Sequence, residues 1–192
     1  MDDFTVYGDS FNEALENLEK VLIRCKETNL SLSHEKFFMM FNEGIVSGHH
    51  ISGDGIKVDS SKVEVISKLS VPCCQKDDRV FLGFTGYYRR FIGNLTKIAS
   101  PLFKLLTKDC EFNWDSKCQV AFETLKKRIS KAPILKGPNW KFPFHISRDA
   151  SDLALAAVLG QKDLTLYAIY YSSKKLTPAE LNYTITEKNS PQ

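Results

Sequence analysis

Phe11, Leu15, Leu18, Leu22 and Cys25 recur three or four residues apart, with Glu13, Glu16, Lys20 and Arg24 falling largely between them. That period matches the turn of an α-helix, and Asp9 or Ser10 stands where a side chain can accept the first free amides. A helix through about Lys26 is therefore predicted. Residues 29–33 break the pattern. Residues 36–41 and 44–52 then read as short strands joined at Asn42-Glu43-Gly44, with Gly53-Asp54-Gly55 as a further turn. Helical spacing returns at about residues 60–69, 76–88 and 96–107, divided by Pro72, Gly93 and Lys108-Asp109. Asp115 opens a longer helix in which Cys118, Ala121, Phe122, Leu125 and Ile129 repeat on one face until Ala132-Pro133 stops it. Residues 144–147, 153–159 and 166–172 carry strand signals, and Thr177-Pro178-Ala179-Glu180 is a capped helix start with proline at its first position. The pattern predicts an α+β chain, mostly helical in the middle, with no internal repeat.

Charge divides the chain in the same places. Of the net +3, residues 1–58 contribute −5, residues 59–138 contribute +7 and residues 139–192 contribute +1. A basic middle segment suits phosphate contact, because neutralising backbone phosphates releases counterions and gives affinity without sequence preference. The 5 cysteines, Cys25, Cys73, Cys74, Cys110 and Cys118, show neither disulfide pairing nor zinc spacing, and are expected to be mainly small core residues. His49 and His50 would alternate sides of a strand and so would not share a metal. No apolar run is long enough for a bilayer and no signal-peptide pattern opens the chain, so an intracellular protein without membrane partners is expected.

Several motifs then align in one order. They are Asp2-Asp3-Phe4, Leu32-Ser33-His34-Glu35-Lys36, Gly48-His49-His50-Ile51-Ser52, Phe81-Leu82-Gly83-Phe84-Thr85-Gly86-Tyr87-Tyr88-Arg89-Arg90-Phe91-Ile92, and Lys97-Ile98-Ala99-Ser100-Pro101-Leu102. Together they closely resemble the reverse transcriptase of gypsy-class LTR retrotransposons. Phe142-Pro143-Phe144-His145-Ile146-Ser147-Arg148-Asp149-Ala150-Ser151, with Ala156-Ala157-Val158-Leu159-Gly160-Gln161 and Tyr170-Tyr171-Ser172-Ser173-Lys174-Lys175-Leu176, resembles the start of the RNase H domain of the same polyprotein.

The resemblance implies three parts: residues 1–58 from the C-terminal part of a polymerase palm, residues 59–138 from a helical thumb and connection, and residues 139–192 from the N-terminal strands of an RNase H-like domain. It implies RNA-directed DNA synthesis and hydrolysis of RNA in hybrids as the parent chemistry, Mg²⁺ as cofactor, and as partners an RNA/DNA hybrid or primer-template and other parts of the polyprotein. Asp2 and Asp3 match the paired palm carboxylates, which in a two-metal mechanism stabilise the attacking and leaving oxygens. Lys36 matches a lysine near the nucleotide phosphates, followed by Phe37 where the family commonly has cysteine. Gly48, His49 and His50 match the primer-grip hairpin, although Ser47 replaces a bulkier aliphatic residue. Tyr88, Arg89 and Arg90 match the thumb, where ring and guanidinium groups suit stacking and phosphate contact, whereas Tyr87, Phe91 and Ile92 are expected to pack inward.

Asp149 matches the first metal-binding carboxylate of RNase H. The next one is expected just after Tyr183-Thr184-Ile185-Thr186-Glu187-Lys188, where Asn189 stands instead, and its role does not transfer to Glu187. The reading is thus of a chain truncated at both ends, with both active sites incomplete and Phe4-Thr5-Val6-Tyr7 left as an unpaired sheet edge. It is expected to be inactive alone, and otherwise to serve as a non-catalytic nucleic-acid-binding module or to be a relic without selected function.

Overall fold

The structure, a computed structural model, describes residues 4–33, 41–108, 110–151 and 154–183. Asp2, Asp3 and Lys36, together with Glu187 and Asn189, lie outside these described residues. Helix α1 (Phe11–Glu27) begins at Ser10, whose Oγ accepts from Glu13 N at 3.2 Å while Glu13 Oε2 accepts from Asp9 N at 3.0 Å. This reciprocal pair satisfies two amides that an uncapped helix start would leave bare. The apolar stripe that predicted α1 buries only Cys25, and Phe11, Leu15 and Leu22 remain exposed. Periodicity specifies the helix but not what covers it. Residues 4–8 form no strand.

The stretch read as one strand over 44–52 is a hairpin, β1 (Gly44–Val46) and β2 (His49–Ser52), joined by Ser47 and Gly48 with φ of 44° and 66°. Two consecutive positive φ values give the reverse twist that matches paired strands, and glycine adopts one of them without strain. A third strand, β3 (Gly55–Val58), adds antiparallel to β2 and was not legible from its four residues.

Helices α2 (Ser60–Lys68), α3 (Gln75–Tyr87), α4 (Leu95–Leu105) and α5 (Ser116–Ser130) follow, with a 3₁₀ turn at Arg89–Phe91 between α3 and α4. Asp59 and Asp115 cap α2 and α5 by accepting from Ser61 N at 3.1 Å and Cys118 N at 2.8 Å. The apolar face predicted for α5 is the one buried: Cys118, Ala121, Phe122, Leu125 and Ile129 join Ile66, Phe81, Leu82, Ala99 and Leu102 in the main core. Among the described residues two carboxylates are buried, the α2 cap Asp59 and, fully, Asp78 of α3.

A second antiparallel sheet, β4 (Phe144–Ala150), β5 (Ala154–Lys162) and β6 (Leu166–Lys175), docks through β6. Ser173 Oγ accepts from Thr96 N at 3.0 Å, and the Arg90 guanidinium lies 5.6 Å from the Tyr170 ring centroid. The capping box foreseen at Thr177 opens α6 (Pro178–Leu181). Among the described residues no helix is long and apolar enough to cross a membrane.

Buried Gln161 on β5 holds the loop before β4. Its Nε2 donates to Asn139 O at 2.8 Å and Phe142 O at 2.9 Å, and its Oε1 accepts from Asn139 N at 2.9 Å and the Tyr167 hydroxyl at 3.1 Å. Gln161→Leu keeps the apolar bulk but strands these partners, and is expected to lower stability by about 2 kcal/mol in urea unfolding. An unchanged midpoint would show that water replaces the amide without cost.

Candidate nucleic-acid interface

Ser47 and Gly48 are fastened to the end of α3 by two tyrosines. The Tyr87 hydroxyl donates to Ser47 O, and the Tyr88 hydroxyl donates to Gly48 O at 3.0 Å. The His49 ring is surrounded by Tyr87, Tyr88 and Phe91, with centroids at 5.4, 5.5 and 5.8 Å, and its Nδ1 lies 2.8 Å from Ser47 O. His49 Nε2 and His50 Nδ1 are buried without a hydrogen-bond partner, while His50 Nε2 lies 3.6 Å from Glu43 Oε2. The hairpin is thus positioned by ring packing on one side and hydroxyl donors on the other, 40 residues apart in sequence.

The two tyrosines exchange the places expected of them. Tyr88 is 2% exposed, and burial pushes its hydroxyl above the usual tyrosine range, whereas Tyr87 is 52% exposed. Tyr88 is the C-cap of α3, and the chain then tightens into the 3₁₀ turn. An i, i+4 spacing from Tyr87 to Phe91 therefore crosses a change of helical phase and no longer marks one face. Phe91 and Ile92 are buried as expected. Arg89 is exposed, and Arg90 is half-buried against Tyr170.

Beside the hairpin runs a shallow groove lined by Gly48, Lys62, Val80, Gly83, Phe84, Tyr87 and Tyr88. A methyl group added at Gly83 or Gly86 would meet nothing, so α3 is open to close approach at these two positions. Lys62 supplies the groove's cation. It escaped the sequence reading because one lysine early in a helix carries no signal until β2 and α3 are folded beside it.

Asp149 sits on β4 opposite Ala156 of β5 and is exposed. Among the described residues Asp149 belongs to no group of three metal-ligating side chains, so the arrangement as it stands does not fit a Mg²⁺ pair.

Residues 114–190 match the family described as "RNase H-like domain found in reverse transcriptase". The chain is 36% identical over 189 residues to the Pol polyprotein from transposon 297 of Drosophila melanogaster, covering 98% of this chain and 18% of the relative. The Tf2-3 transposon polyprotein of Schizosaccharomyces pombe is 30% identical over 190 residues, covering 98% of this chain and 14% of its own length. The chain belongs to the gypsy-class LTR retrotransposon Pol family. It corresponds to the reverse transcriptase/RNase H region and spans less than a fifth of these relatives. The backbone of this retroelement chain resembles a foamy viral protease-reverse transcriptase in complex with double-stranded DNA, at a TM-score of 0.77, 24% identity, and coverage of 95% of this chain and 32% of that one. A foamy viral protease-reverse transcriptase in complex with RNA/DNA hybrid gives 0.77 and 24%, with coverage of 95% and 25%. This likeness shows the fold.

Proposed function

We propose that this retroelement chain holds a primer-template or RNA/DNA hybrid by its backbone, and that it binds without turning the duplex over. The groove between the β1–β2 hairpin and α3 carries the reading, because it combines a tyrosine edge, a lysine and an opening at Gly83 on the helix face, the last two within the basic segment. Such a surface accepts a duplex backbone closely and neutralises its phosphates, without groups aimed at base edges. Arg89 and Lys62 are assigned to phosphate contact. Arg90 is assigned to the same surface from its seat on Tyr170, with Gly48, His49, His50 and Tyr88 shaping the hairpin. The divisions 1–58, 59–138 and 139–192 are our assignment of palm, thumb with connection, and RNase H-like parts. Asp2, Asp3 and Lys36 are assigned to the palm by motif, and Asp149 to the RNase H-like part. The nucleic acids held by the foamy viral structures agree in kind with this partner.

Binding of a fluorescent RNA/DNA hybrid should weaken steeply with added salt. Each of Arg89→Ala, Arg90→Ala and Lys62→Ala should reduce the slope of log K against log salt by about 1, with little dependence on sequence. Affinity indifferent to salt and to all three changes would overturn the reading. Mg²⁺ added to the same tubes is expected to give neither extension nor cleavage. Synthesis abolished by Asp2→Asn with Asp3→Asn would show an assembled polymerase site.

A further inference from the structure

Two of the five cysteines stand side by side on the surface just before α3, where the fold gives them a third companion. Cys74 is the N-cap residue of the helix and makes no side-chain capping hydrogen bond. Asp77, one turn on, reaches back: its Oδ2 accepts from Cys73 N at 3.2 Å and from the Cys73 thiol at 3.0 Å. One donor atom from each of Cys73, Cys74 and Asp77 lies within 4.8 Å of the others, and all three residues are exposed. Among the described residues this is the one place where three metal-ligating side chains converge.

We infer that Cys73, Cys74 and Asp77 form a surface site for a single thiophilic divalent ion of the zinc type, its fourth position filled by water. Tetrahedral zinc holds thiolates at about 2.3 Å and a carboxylate oxygen at about 2.0–2.2 Å, which puts neighbouring ligand atoms roughly 3.3–3.8 Å apart. Small side-chain rotations bring the three donor atoms to that spacing. Two sulfurs and one carboxylate select zinc, cadmium or cobalt over Mg²⁺, which demands oxygen ligands in octahedral array. The site is therefore separate from the Mg²⁺ chemistry of the parent polymerase.

The helix start adds to this selectivity. Amides at the first turn of α3 favour negative charge, so thiolates made by metal binding are stabilised there. Thiolates rather than thiols ligate such an ion, so affinity should rise with pH. The bound ion would clamp the start of the helix that carries Gly83 and Tyr87 to the residue preceding it.

The test is titration of the reduced full chain with Co²⁺, followed by competition with Zn²⁺. One equivalent of cobalt should produce a thiolate-to-cobalt charge-transfer band with tetrahedral ligand-field absorption, and one equivalent of zinc should remove both. The band should vanish in Cys73→Ser with Cys74→Ser and survive in Cys110→Ser. In Asp77→Asn the apparent Kd should rise by roughly tenfold or more, as loss of a ligand costs at least what loss of its supporting partner does. Mg²⁺ in excess should not compete. No band in the reduced chain, or a band that survives loss of Cys73 and Cys74, overturns the site. Far-ultraviolet circular dichroism separates loss of a ligand from loss of the fold, and Asp77→Asn, which leaves both thiols in place, keeps the test decisive should the double serine variant misfold.

Discussion

Gly55→Ala is expected to destabilise the fold by about 3 kcal/mol or more. Gly55 opens β3 at φ 132°, a region that side chains rarely enter, and a methyl group there would lie 2.3 Å from Leu135 O. That carbonyl cannot retreat cheaply. It accepts from Ile56 N at 2.8 Å, while Leu135 N donates to Ile56 O at 2.9 Å, so the clash falls on the bridge tying β3 to the chain after α5. Val58 and Leu135, both buried, lose their register with it. At this chain length the melting temperature should fall by on the order of 6–12 °C. Gly53→Ala is the control, since its methyl group would meet nothing. Equal melting of the two variants would show that the bridge contributes little.

The second large effect concerns pH. Asp78 is 0% exposed with both carboxylate oxygens unpartnered, and burial pushes its pKa to about 6. A folded pKa above the unfolded value of 3.8 means the native chain retains a proton that the unfolded chain has lost. Stability should therefore fall as pH rises from about 4 past 6, by on the order of 3 kcal/mol in all. Asp59 and Asp115 act in the opposite sense. Hydrogen bonds from the Ser61 side chain and from the Cys118 amide, respectively, hold them below the usual range, so their contribution is lost as pH falls through their folded values. Urea unfolding across pH should thus show greatest stability on the acid side of neutrality. Asp78→Asn should remove the decline above pH 4 while leaving the loss at lower pH intact. Parallel profiles for the two proteins would refute the assignment to Asp78.

Much of this was legible from residues close in sequence. The caps at Ser10 and Asp115 and the capping box at Thr177 depend on side chains three positions from the amides they satisfy. The buried face of α5 follows from one period repeated over four turns. The break at Ser47-Gly48 is absent from the residue pattern, though the resemblance placed a hairpin there, because Ser47 gives no sign that it will adopt a positive φ. Only its pairing with strands and its two tyrosine donors make that conformation worthwhile. Tyr87 and Tyr88 were misplaced for a related reason: helical phase runs only as far as the helix, and the 3₁₀ turn begins between the tyrosines and Phe91.

The sequence by itself determined the family, the run of helices and the caps at Ser10, Asp115 and Thr177, because each rests on short-range chemistry and on motifs read in line. It also located the basic segment and named Arg89 and Arg90 within it. The tertiary structure alone decided that Lys62, Gly48 and the open face at Gly83 line one groove, and that Cys73 and Cys74 face Asp77. It also buried Asp78, whose place early in α3 reads in sequence as a favourable charge at a helix start. Whether such a carboxylate faces water or core depends on which helices pack over it, and that is fixed by contacts between elements far apart in the chain.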